Sequence, residues 1–212
     1  MEIALSTLIT FYVIMLGPVK LILPFANATA NADKSLKRKI AFETTLWGGG
    51  VAVICLLLGD FVVEKFLLSK GTLMIALSFF LVTFAYSLAH VGDPAITADA
   101  LPLPEKPTKE LALFPLAFPG VIPPQGFALL VLSTQVEYSN AQLERLPMLL
   151  LLTVIVMIAN LVFMIGAGAI LRVTGRVFWL LLVRFLAPLF VALAVHIFLL
   201  GLQERGVLTL VE

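Results

Sequence analysis

Long apolar runs separated by short clusters of charge make up nearly the whole chain. A bilayer core of about 30 Å takes about 20 apolar residues of helix. The intervals between charges therefore predict six membrane spans: Ile3 to Ala32, Ile40 to Val63, Gly71 to Val91, Leu111 to Gln135, Met148 to Leu171 and Phe178 to Leu202. One substantial polar insert, DPAITADALPLPEKPTKE, lies between the third and fourth runs, and its four prolines and scattered charges predict an irregular loop. The chain thus divides into a first three-span unit (1–92), a linker (93–110) and a second three-span unit (111–212).

Composition turns this pattern into a statement about solvent. Of the 212 residues 61% are apolar and 13% charged, and the mean hydropathy is +1.09. A soluble domain has about 45–50% apolar and about 25% charged residues, so the chain reads as an all-α polytopic membrane protein with lipid as its outer solvent. A net charge of +1, with only Lys34, Lys37, Arg38 and Lys39 clustered, excludes nucleic acid as a partner. The single cysteine, Cys55, excludes an internal disulfide and CxxC chemistry. The first positive charge, Lys20, lies deep in an apolar run, so the first span is expected to remain in the mature protein. Lys and Arg number eight in the first, third and fifth loops (Lys34, Lys37, Arg38, Lys39, Lys106, Lys109, Arg172, Arg176) against four on the other side (Lys65, Lys70, Arg145, Arg205). By the positive-inside bias both termini are expected outside, in an inner or plasma membrane.

Three spans, a loop and three more spans predict 3+3 repeats, inverted because each half crosses an odd number of times. The leading span of each half is interrupted: by Gly17, Pro18 and Pro24 in the first, and by Pro115, Pro119, Gly120, Pro123, Pro124 and Gly126 in the second. A proline within a helix removes an N–H donor and clashes with the carbonyl four residues back, which frees backbone polar groups at membrane depth. Paired breaks of this kind point to a transporter's substrate site, whereas simple proline kinks in ordinary helices are the plainer alternative.

Few polar side chains reach the interior. Lys20 lies two residues past Pro18; it either sits beside a cavity and holds a carboxylate or snorkels to headgroups. Asn160, central in the fifth span, is either interhelical glue or part of a cavity wall. His196 is a candidate proton relay or a packed histidine, and Asp60 is a second proton or ion candidate. Arg184 is placed to snorkel, and Glu43 and Glu64 are placed at the interface. Gly48, Gly49 and Gly50, with Gly166, Ala167 and Gly168, are expected to form a close contact between the halves. No HExxH-type spacing, nucleophile motif or P-loop is present, so no metal, cofactor or enzymatic activity is expected.

Four stretches carry a family resemblance: LGPVKLILPFANAT (Leu16 to Thr29) followed by KRKIA, FPLAFPGVIPPQGF (Phe114 to Phe127), RVTG (Arg172 to Gly175) and RFLAPLFVALAVHIFLLGL (Arg184 to Leu202). In these the chain resembles the MarC-type integral membrane proteins, grouped with small neutral amino acid transporters in the LysE superfamily. The resemblance implies six spans in an inner membrane and amino-acid transport. Gly17 stands where the family usually has aspartate, Lys20 or its neighbours replace a Gly-Asn pair, Pro123 and Gln125 replace glycines, and His196 replaces glutamine. Phe79 and Phe80 stand where a Gly-Gly pair is usual, and they are expected to crowd the cavity.

These readings converge on a secondary transporter, an exporter or exchanger of a small neutral amino acid or similar metabolite, working by alternating access and open to homo-oligomer formation. The expected substrate site comprises Gly17, Pro18, Val19, Lys20, Pro119, Gly120, Pro124, Gln125, Gly126 and Asn160, with backbone N–H groups meeting a carboxylate and His196 or Asp60 coupling protons. The rival reading is a membrane protein with a structural or interaction role, a degenerate member with a filled cavity.

Overall fold

A computed structural model of the chain describes residues 2–90, 109–139 and 144–207. Nearly all of the expected linker, 93–110, lies outside the described residues. Among the described residues there are seven α-helices: α1 (Leu5–Met15), α2 (Ile22–Ala28), α3 (Lys34–Lys65), α4 (Lys70–Ala89), α5 (Pro124–Ser133), α6 (Arg145–Thr174) and α7 (Arg176–Glu204). A short parallel strand pair, Glu2–Ala4 with Glu137–Ser139, accompanies them.

The helices begin where local chemistry starts them. The Asp33 carboxylate accepts the Leu36 N–H at 3.1 Å and opens α3, and Ser69 Oγ accepts the Thr72 N–H at 3.2 Å and opens α4. Between α6 and α7 the whole connection is Gly175, whose φ of +78° is a left-handed conformation that glycine adopts without strain.

The two leading spans are broken at prolines, though Pro24, expected to interrupt the first, lies in the first turn of α2, where a proline needs no N–H partner. α1 ends at Met15, a single 3-10 turn occupies Pro18–Leu21, and α2 continues the span to Ala28. In the second half an irregular wide-turned segment, Ala112–Val121, has extended backbone at Phe114 and Phe118, and it meets α5 at a 58° bend. The two breaks share one local design. An extended residue, Gly17 (φ −79°, ψ 175°) or Pro123 (φ −78°, ψ 166°), precedes a proline at the first helical position, Pro18 or Pro124. That position needs no N–H, and proline's fixed φ suits it.

Each long helix packs chiefly on its counterpart in the other half, α4 on α7 and α3 on α6. Both pairs run antiparallel, because Asp60 near the end of α3 meets Arg145 at the start of α6, and Lys70 at the start of α4 meets Glu204 at the end of α7. The broken spans also meet each other, α1 against α5 and the 3-10 turn against Ala112–Val121. Large apolar side chains such as Phe61, Val162 and Leu189 face outward, as the absence of water in a bilayer core allows. The chain is therefore a multi-pass all-α membrane protein whose α1–α2 span, α3, α4, α6 and α7 are each long and apolar enough to cross, making five spans, or six if the bent pair crosses as one.

Two sequence expectations change. Gly48 packs on Val121 and Gly49 on Met157, but Gly50 and Gly168 have nothing within 4 Å and Gly166 meets only Ile170 of its own helix, so the two glycine patches do not form the contact between halves. Phe79 and Phe80 are 64% and 43% exposed, on the outward side of α4, where they do not crowd the interior. Both misreadings have one cause: in a helix that is apolar all round, composition does not tell the lipid face from the packed face.

Candidate functional site

A cavity lies where the first break faces α4 and α7. It has two adjoining lobes of 240 and 300 Å3, which share Val19, Lys20, Phe84, Leu88 and Val183 as walls. The smaller lobe extends along α1 past Val13 and Ile14 and along α7 to Phe190. The larger reaches Pro24 on α2 and Pro115, Pro119 and Gly120 of the second broken span. Both broken spans therefore wall one space.

Lys20, its single ionic group among the described residues, has a defined setting. Lys20 Nζ donates to the Met15 carbonyl and, at 3.1 Å, to the Val121 carbonyl. Each acceptor sits at the end of a helical piece that a break has stopped, so one side chain ties both breaks together. The next freed carbonyl, Leu16, accepts from Asn160 Nδ2 at 2.8 Å, which brings α6 to the first break. Side chains thus satisfy the backbone groups that lipid could not.

Gly17 and Pro18 are buried at the break, and a Cβ on Gly17 would run into the Val13 carbonyl, so the close approach of the chain requires glycine there. Gly126 lies under the Leu16 side chain, where a Cβ would come within 2.8 Å of Cδ2. Its N–H donates to the Pro123 carbonyl at 2.8 Å and so turns into α5, away from the cavity. Pro124 is exposed, and Gln125 is buried. Gln125 Nε2 and Asn160 Oδ1 are buried without a hydrogen-bond partner among the described residues, one donor and one acceptor at the crossing of the broken spans.

The two proton candidates stand elsewhere. His196 is exposed on α7 and lines neither lobe. Asp60 belongs to a separate polar cluster at the opposite end of the helices, where it accepts from Gln135 Nε2 at 2.6 Å and pairs with Arg145 at 3.4 Å. Sequence reasoning did not single out Phe84, Leu88, Val183 and Phe190, which form much of the wall on the α4 and α7 side. They carry no polar signal, and their spacing matches that of their lipid-facing neighbours. It also missed the buried Tyr12 hydroxyl, which is 3.1 Å from Ser133 Oγ and joins α1 to α5.

Asn160→Leu leaves the Leu16 carbonyl unpaired in the interior. A buried group stranded in this way costs about 1–3 kcal/mol. The variant is expected to lower the thermal midpoint of the purified protein by several degrees, read by thiol labelling of Cys55, the only cysteine. An unchanged midpoint would show that the bond contributes nothing to stability.

A family model described as MarC family integral membrane protein matches residues 1–205. The chain belongs to the MarC family of integral membrane proteins. Neither a curated protein nor a solved structure matches it. The match spans both broken segments and all the long helices, so the cavity and its lysine lie within the part of the chain that the MarC family defines.

Proposed function

We propose that this MarC family member is a secondary transporter of the inner membrane, an exporter or exchanger of a small neutral amino acid or similar small metabolite, with both termini on the outer side. The observation that carries this reading is the cavity bounded by both broken spans, with Lys20 as its one ionic group among the described residues. The antiparallel pairing of α3 with α6 and α4 with α7, and the shared design of the two breaks, support an inverted 3+3 arrangement in which the halves rock about that site. The outward position of Phe79 and Phe80 removes the main ground for a filled, non-transporting interior.

The cavity lies toward the ends of α4 and α7 that carry Ala89 and Arg176, the side of the basic loops. The opposite side is bridged by Asp60 with Arg145 and by Lys70 with Glu204, at 3.4 and 3.3 Å. In the proposed orientation this is a state facing the cytoplasm with its outer side closed. Exposed pairs of this kind contribute only about 0–1 kcal/mol each, so they hold an outer gate that rocking can open.

The test is exchange across proteoliposomes for a panel of amino acids and small organic acids. Saturable exchange of at least one is expected. Val183→Phe, which pushes a ring into both lobes, is expected to slow it by roughly tenfold or more, since 1.4 kcal/mol of lost binding suffices. Absence of saturable exchange for every solute, with correctly folded protein in the vesicles, would overturn the reading.

A further inference from the structure

The polar groups of the cavity narrow what it can hold. An ammonium carries three N–H donors and no acceptor. Two of those on Lys20 go to the Met15 and Val121 carbonyls, which leaves one for an occupant. Among the described residues neither lobe is lined by a carboxylate. Three of the break carbonyls already each accept one hydrogen bond, Met15 and Val121 from Lys20 and Leu16 from Asn160, and carry no full charge to pair with a substrate ammonium. A zwitterion placed here would have its carboxylate paired with a full charge and its ammonium offered only neutral carbonyl oxygens, and a buried charge without an ionic partner is disfavoured. The remaining wall, from Ile14 across Phe84 to Val183 and Phe190, is apolar.

We propose that the cavity binds a small monocarboxylate with a short apolar tail, its carboxylate on the third N–H of Lys20 Nζ and its tail between Phe84 and Val183. The proposal rests on the transport reading and names its substrate class: an organic acid without an amino group. Lobes of 240 and 300 Å3 suit a branched or short aliphatic chain.

Titration calorimetry on the purified full-length protein compares 4-methylpentanoate with 4-methylpentan-1-ol, which lacks the charge, with leucine, which adds the ammonium, and with dodecanoate, a stand-in for an acid drawn from the membrane. The short acid is expected to bind at least about tenfold tighter than each of the other three, a difference that one charge-assisted hydrogen bond can supply. Leucine binding as tightly as the short acid, tighter binding of dodecanoate, or no binding of the short acid would each overturn the proposal. Exchange in proteoliposomes separates the two readings. Binding of the short acid without exchange upholds the site and overturns transport, whereas exchange of leucine but not of the acid upholds transport and overturns the substrate class.

Two variants locate the contact. Lys20→Gln keeps two N–H donors for the carbonyls while removing the charge, and is expected to erase the preference for acid over alcohol. Retention of the full preference would overturn the proposal. Val183→Phe is expected to weaken acid and alcohol alike; unchanged binding of the acid in that variant would place it outside the cavity and overturn the proposal independently of whether Lys20→Gln folds.

Discussion

Lys20→Met is expected to lose solute exchange and folded stability together. A lysine whose only task is to meet a substrate would show the first effect alone. Lys20 Nζ holds the Met15 and Val121 carbonyls, and hydrogen bonds to a charged group contribute about 1.5–3 kcal/mol each. Methionine fills the space but satisfies neither acceptor, and both remain at a depth where lipid offers no donor. Relief of the charge recovers little of this, because in the unfolded membrane-inserted chain the long stem of lysine snorkels its ammonium to the headgroups. The thermal midpoint, read by labelling of Cys55, should therefore fall by several degrees or more, since at this chain length 1 kcal/mol corresponds to about 2–4 °C. Exchange should be lost even at temperatures where the variant remains folded. A variant with normal stability and no exchange would mean that the two carbonyl bonds do not form in the membrane. A variant with normal exchange would remove Lys20 from the site.

What the sequence discloses of this fold follows from what each residue type is obliged to do. Charges are costly in lipid, so the apolar spans are readable from the gaps between them, and prolines clustered with glycine or with one another disrupt a helix, so both breaks are readable to within a few residues, whereas the lone Pro188 lies inside an unbroken α7. Lys20 and Asn160 stand out for the same reason, and both meet at the first break. What they do there was legible only in part. Sequence reasoning expects freed N–H groups aimed at a substrate. The structure shows in addition carbonyls held by side chains, since a proline deletes its own donor and strands acceptors on the preceding turn, and of the expected N–H groups it turns that of Gly126 back to Pro123. Apolar residues carry no such obligation. Val183 on the cavity wall and Leu189 facing outward are both aliphatic residues of α7, and only the packing of α7 on α4 separates their roles. The pairing of Asp60 with Arg145 across 85 positions is likewise invisible until α3 and α6 are set side by side.

The glycines give the sharpest contrast, and Gly201→Leu is the second change expected to be severe. At the end of α4 and α7 away from the cavity the two backbones touch. A Cβ on Gly201 would lie 2.9 Å from the Gly71 carbonyl oxygen and 3.2 Å from the Ile75 nitrogen, and a Cβ on Gly71 would lie 2.8 Å from the Gly201 oxygen. Backbone cannot step aside as a flexible side chain can, so a leucine must push the helices apart. Forced overpacking of this kind costs about 1–3 kcal/mol, and occasionally more. The same wedge strains the bonds that close this end, Lys70 with Glu204 at 3.3 Å and Arg205 with Ser69 at 3.2 Å. The midpoint is expected to fall by roughly 5–10 °C. Gly168→Leu is the counterpart: nothing lies within 4 Å of a Cβ there, the side chain enters lipid, and replacing a mid-helix glycine gains up to about 1 kcal/mol of helix propensity. One substitution type should therefore unseat the fold at Gly201 and leave it equal or firmer at Gly168, although both are small residues in apolar helices. Equal midpoints for the two variants would mean that α4 and α7 do not meet through their backbones.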